Sequence, residues 1–116
     1  MIDSTHIDAA ADSGVLVITL KCDKISEYES QIVETEVKSL AQGFHWKVAL
    51  DFQQVQLMSS VGLGMLVALN RACKTGKGKL ALFAMNDNLR NLMKITRLDS
   101  GFIIKADRPG AVEACA

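Results

Sequence analysis

The run Val15-Leu-Val-Ile-Thr-Leu20 is β-branched or aliphatic throughout and follows the turn signal Asp12-Ser13-Gly14. Such a run reads as a buried strand, and Thr5–Ala10 before it can pair as the edge strand of a hairpin, so strands are expected near 4–10 and 14–20. The spacing then changes. Ile32, Val33, Val37, Leu40 and Ala41 recur at helical intervals with Glu27, Glu29, Glu34 and Glu36 on other faces, which predicts a helix capped by Ser26 and stopped at Gly43.

The same two signals alternate to the end of the chain. Trp46–Phe52 is a short apolar strand, and Leu63, Leu66, Val67, Asn70 and Arg71 mark a helix that Thr75-Gly76-Lys77-Gly78 breaks. Lys79–Met85 is the next strand. Asn86 or Asp87 caps a helix carrying Leu89, Leu92, Met93 and Ile95, Ser100-Gly101 turns the chain, and Phe102–Lys105 is a last strand. Pro109 suits the first turn of a final short helix.

The predicted order is β-β-α-β-α-β-α-β-α in one α/β domain spanning residues 1–116. Strands alternating with helices require crossover connections and a mainly parallel sheet, here with one antiparallel edge strand and helices packed on it. In such sheets the loops at the carboxyl ends of the strands form the natural functional edge.

Composition narrows the function classes. Hydrophobic residues make up 49% of the 116, ample for a core, and 13 Lys+Arg balance 13 Asp+Glu with no long block of either sign. That excludes a nucleic-acid stripe and a basic membrane patch, leaving a protein or a small molecule as partner. Cys22, Cys73 and Cys115 are odd in number and far apart, with only His6 and His45 to help, so neither zinc nor a disulfide framework is indicated, and a reducing cytoplasm fits. No apolar run approaches the roughly 18 residues a membrane helix needs, so no direct membrane insertion is expected.

The stretch Asp51–Ala72, DFQQVQLMSSVGLGMLVALNRA, carries the chemistry worth weighing. It is no dinucleotide fingerprint: Gly62 lies ten residues beyond Phe52, and Val67 stands where a third glycine belongs. No Gly-Lys-Ser/Thr closes a phosphate-binding loop. Leu57 or Met58 stands where a nucleophile elbow needs glycine, and no histidine is placed to activate Ser59 or Ser60. What remains is a helix start bearing two hydroxyls. Either can cap the helix, and the same position also favours a phosphate, because the helix dipole and free N–H groups attract a dianion.

The order of elements together with Asp51-Phe-x-x-Val55-x-x-Met58-Ser-Ser-x-Gly62-Leu63-Gly64 resembles the STAS domains of anti-sigma factor antagonists (anti-anti-sigma factors). The resemblance extends over nearly the whole chain, including Asp23 after the second strand and the Leu89-x-x-Leu92-Met93-x-x-x-x-Leu98 helix. It implies a non-enzymatic, cofactor-free regulator of transcription by partner switching. The unphosphorylated protein, a monomer or weak dimer, would bind an anti-sigma factor that is also a serine kinase. Phosphorylation would release it, and a PP2C-type phosphatase would restore it. Any ATP would belong to the partner.

The loop departs from the family pattern of Asp-Ser-Ser/Thr-Gly. Ser59 stands at the Asp, Ser60 at the first Ser, and Val61, which has no hydroxyl, at the usual acceptor; Leu20 also replaces a Gly commonly found three residues before Asp23. Either Ser60, with Ser59 as its neighbour, takes the phosphate, or the protein is not switched this way. In the second case it is a scaffold of a stress-sensing assembly or an accessory subunit of a lipid-transport complex. The resemblance places partner contacts at Asp23, Met58, Ser59, Ser60, Val61, Gly62 and Gly64. Asp51 is expected to support the loop, Leu63 to lie in the core, and Met58, if exposed, to offer a soft docking contact.

Overall fold

The structure is a computed structural model and describes residues 6–116. Strand β1 (Ile7–Asp12) turns back through Ser13 and Gly14 into β2 (Val15–Leu20). Both turn residues have left-handed φ, 54° and 82°, as a two-residue hairpin turn with the strands' own twist requires. Register runs from Asp12 opposite Val15 to Ile7 opposite Leu20. The expected hairpin is therefore present with its edge strand two residues longer at the turn end; residues 4 and 5 of the expected strand lie outside the described residues.

The chain continues through β3 (Lys24–Ile25), α1 (Glu27–Ala41), β4 (Lys47–Asp51), β5 (Leu57–Met58), α2 (Ser60–Thr75), β6 (Lys79–Phe83), α3 (Asp87–Ile95), β7 (Ile103–Lys105) and α4 (Arg108–Cys115). The main sheet has the order β1-β2-β4-β6-β7, antiparallel only between β1 and β2. This is the predicted architecture. One feature is additional: β3 and β5 form a separate parallel ribbon pairing Lys24 with Leu57 and Ile25 with Met58.

Burial on both faces explains the uninterrupted apolar strands. Leu16, Ile18, Val48, Leu50, Leu80 and Leu82 join Val33 and Val37 of α1, Leu66 and Leu69 of α2 and Leu89 and Met93 of α3 in one core. Val15, Val17, Ala49, Ala81 and Phe83 face the other way, against Ala111, Val112 and Cys115 of α4. Alanines at the centre of that second face leave room for the short helix to lie close.

Two helix ends differ from expectation. Gly43 is not the stop of α1: it sits inside a 3₁₀ turn, Gln42–Phe44, and the left-handed residues that end the path are His45 and Trp46, with φ of 55° and 60°. Ile95, counted above on the apolar face of α3, is 76% exposed because that helix buries only Leu89 and Met93.

Candidate functional site

The candidate site lies at the carboxyl end of β4, where the chain leaves the sheet and climbs through β5 into α2. Its first support is Asp51, whose carboxylate accepts the Gln53 N–H at 2.8 Å, so the expected supporting role is what the geometry provides. Asp23 supplies the second support through its backbone. Its carbonyl accepts the N–H groups of Gln56 at 2.7 Å and Leu57 at 3.0 Å, while its carboxylate stays exposed. A third tie is absent from any sequence pattern: the Asn86 side chain caps α3 through Leu89 N–H (2.8 Å) and its Nδ2 donates to the carbonyl of Val55 at 3.3 Å.

Alternation along β5 then decides which side chains face outward. Leu57 is 57% exposed, whereas Met58 is half-buried and turned toward Gly62. Met58 is therefore not the exposed side chain that a soft docking contact there requires, and the exposed apolar side chain of this strand is Leu57, which sequence reasoning missed. A two-residue strand carries no readable period, and only its pairing with Lys24 and Ile25 fixes which side chain points out.

Ser59 and Ser60 are given different roles by one residue of register. Ser59 is the N-cap of α2: its N–H donates to the Ile25 carbonyl at 2.9 Å and its hydroxyl accepts the Gly62 N–H at 3.2 Å. Ser60, the first helical residue, is exposed, as is Val61 beside it at 45%. Helix geometry leaves the N–H groups of Ser60 and Val61 without an intrahelical acceptor, and no acidic residue occupies the first turn. The position suits negative charge.

Gly62 is where the ribbon and α2 touch. A Cβ there would stand 2.5 Å from Met58 Cγ and 3.0 Å from the Ile25 carbonyl oxygen. Gly64, two residues on and exposed, has open space around it, so of these two glycines only Gly62 requires close packing. Leu63 is buried, as expected.

The entry of α1 borders the ribbon. Ser26 caps it: the Ser26 N–H donates to the Glu29 carboxylate at 3.0 Å and its hydroxyl donates to the same group. Those bonds, that from the hydroxyl foremost, hold the Glu29 carboxyl below the usual carboxylate range. Tyr28 in the same turn is 67% exposed and meets the His6 ring edge-on at 6.0 Å. Cys22 lies half-buried just before the ribbon, its thiol pushed up by burial and then by Glu29 and Asp23. Among the described residues, three of the four exposed large hydrophobics, Tyr28, Leu57 and Val61, therefore flank this loop and α1 entry; Ile95 is the fourth.

The loop presents an exposed hydroxyl at Ser60, the free backbone N–H groups of the α2 start and the exposed apolar side chains Leu57 and Val61. No group of three metal-ligating side chains occurs among the described residues, and neither histidine enters the loop: His45 is exposed before β4 and His6 lies against Tyr28. No helix among the described residues is long and apolar enough to cross a membrane.

Comparison with known proteins places this arrangement in context. The family model of the STAS domain matches residues 6–111. An anti-sigma-factor antagonist (STAS) domain protein from Planctomyces limnophilus superposes with a TM-score of 0.84 at 20% identity, covering 93% of this chain and 96% of that one. An anti-sigma factor antagonist from Mycobacterium paratuberculosis gives 0.80 at 19% identity over 94% and 92%. The Bacillus cell fate determinant SpoIIAA in its phosphorylated form gives 0.69 at 17% identity over 93% and 97%. At such identities these structures speak for the fold.

Proposed function

The chain belongs to the STAS-domain family, and on that premise we propose that it is an anti-sigma factor antagonist, a non-enzymatic protein that acts by binding. Its partner is an anti-sigma factor with serine kinase activity, and its binding frees the sigma factor. One observation carries this reading: an exposed hydroxyl, Ser60, stands at a helix start beside the exposed apolar side chains Leu57 and Val61. A docked partner covers the apolar residues and brings the hydroxyl to its own ATP site.

The regulation follows from the same geometry. A phosphate on Ser60 adds about two negative charges at a position that the α2 dipole and free N–H groups stabilise. The domain stays folded, while the partner must now desolvate a dianion in the middle of an apolar contact and is released. A PP2C-type phosphatase reverses the step.

Val61 supports a second reading, because the usual acceptor position has no hydroxyl. A protein never phosphorylated would serve as a scaffold or accessory subunit of a stress-sensing or lipid-transport assembly. Val61→Glu separates a docking surface from a merely solvated one. Val61 is exposed, so the variant is expected to keep its stability and to lose partner capture by about tenfold or more, as removal of one well-buried interface anchor does. Undiminished capture by a folded Val61→Glu protein rejects the proposed surface.

A further inference from the structure

At the opposite end of α2 from Ser60, a groove of about 510 Å³ opens between the last turns of α1 and α2, lined by Lys38, Trp46, Ala68, Arg71, Ala72 and Thr75. Its volume falls in the range of small-molecule sites, roughly 300–1,000 Å³. The alanines give a low apolar floor and Trp46 an aromatic wall.

Trp46 is held there by an unusual arrangement of backbone. His45 and Trp46 both occupy the left-handed region, which non-glycine residues of this bulk seldom adopt. The Trp46 N–H donates to the Ala41 carbonyl and its carbonyl accepts the Lys79 N–H, both at 3.0 Å, so the residue cannot swing away. Two glycines complete the seat: a Cβ at Gly76 would run into the indole, and one at Gly78 into the Trp46 carbonyl. Strained backbone that fixes one aromatic at the edge of a groove is characteristic of ligand clamps.

Charge decides the class of occupant. Among the described residues, the ionisable groups lining the groove are both cations, Lys38 and Arg71, and an adjoining depression shared through Arg71 and Thr75 adds Lys74. Lys38 is paired with Glu34 at 2.8 Å on its own helix, whereas Arg71 takes part in none of the ion pairs among the described residues. Three of the last four carbonyls of α2 are already occupied. Those of Ala72, Cys73 and Lys74 are taken by the N–H groups of Gly76, Gly78 and Lys77.

We infer that this groove binds a small organic anion with a flat apolar body, its ring system against Trp46 and its acidic group on the Arg71 guanidinium, with Lys38 and Lys74 at the rim. Such binding is independent of the Ser60 surface and gives the domain a second, small-molecule input.

The probe is 8-anilinonaphthalene-1-sulfonate, an anion of this description, titrated into the full chain alongside uncharged N-phenyl-1-naphthylamine. Trp46 is the only tryptophan, so saturable quenching of its emission reports occupancy directly. Amide chemical shifts are expected to change at Lys38, Trp46 and residues 68–76. Arg71→Gln is expected to weaken the sulfonate about tenfold, the effect of losing one charge-assisted hydrogen bond of about 1.4 kcal/mol, and to leave the uncharged probe unaffected. Ala72→Leu, which fills the floor without touching the charge, is expected to weaken both. Absence of saturable quenching, shifts confined to the Leu57–Val61 ribbon, or equal sulfonate affinity in Arg71→Gln and the natural sequence each overturns the inference.

Discussion

Gly62 and Gly64 stand two residues apart in the first turns of α2, and the same substitution should act on them with opposite sign. In a helix, Gly→Ala gains about 0.5–1 kcal/mol, chiefly because alanine has less backbone freedom to lose. Gly64 has open space around its Cβ position, so Gly64→Ala should realise that gain. At Gly62 the new methyl would meet Met58 Cγ at 2.5 Å, Ile25 Cγ2 at 3.1 Å and the Ile25 carbonyl oxygen at 3.0 Å. The methionine can swing away. The carbonyl cannot, because it accepts the Ser59 N–H at 2.9 Å, and Ser59 in turn caps Gly62 itself. Overpacking of this kind costs about 1–3 kcal/mol, which outweighs the helix gain, so Gly62→Ala should be destabilised by up to about 2 kcal/mol. The two variants should differ by about 1–3 kcal/mol in urea unfolding at neutral pH, or by about 4–12 °C in Tm at roughly 4 °C per kcal/mol for a domain of this size. If both alanines stabilise equally, the ribbon does not press on α2 as described, and the placement of the whole loop is wrong.

Replacing Ser59 by Ala removes the cap of α2 and should cost about 1 kcal/mol in urea unfolding, whereas Ser60→Ala at the exposed first position should stay within about 0.5 kcal/mol. Burial, then Cys115, pushes the Cys73 thiol up to about 12; a raised acid favours the folded state at neutral pH and loses that contribution as pH climbs from about 9 toward 12, so Cys73→Ala should flatten the alkaline limb of a stability–pH curve across that window. Glu29 has the opposite sign: its carboxyl is depressed, so its contribution is present above the unfolded value of about 4.3 and fades as pH falls through the lower folded value. Glu29→Gln should therefore show a shallower acid limb in the same measurement.

The main sheet and its helices were legible because each carries a period long enough to read: Val15–Leu20 as a strand buried on both faces, Val33 and Val37 as one side of α1. The candidate loop was legible only in outline. Which of Leu57 and Met58 points outward depends on pairing with Lys24 and Ile25, a contact between segments about 30 residues apart that two-residue strands do not announce. The tie from Asn86 to Val55 is equally silent, since an asparagine before a helix already has a local explanation as a cap. The end of α1 was misread for a related reason: Gly43 offered the cheapest left-handed residue, but contacts with Gly76 and Gly78 place that conformation at His45 and Trp46 instead.

The most direct measurement of the central claim is affinity capture from the native cell extract with the full chain as bait, followed by intact-mass analysis of the bait after incubation with the recovered kinase and ATP. The expected result is capture of an anti-sigma factor kinase and a gain of one phosphate that Ser60→Ala abolishes. Recovery of membrane transporter subunits or a stress-sensing assembly, with no kinase and no added mass, would contradict it.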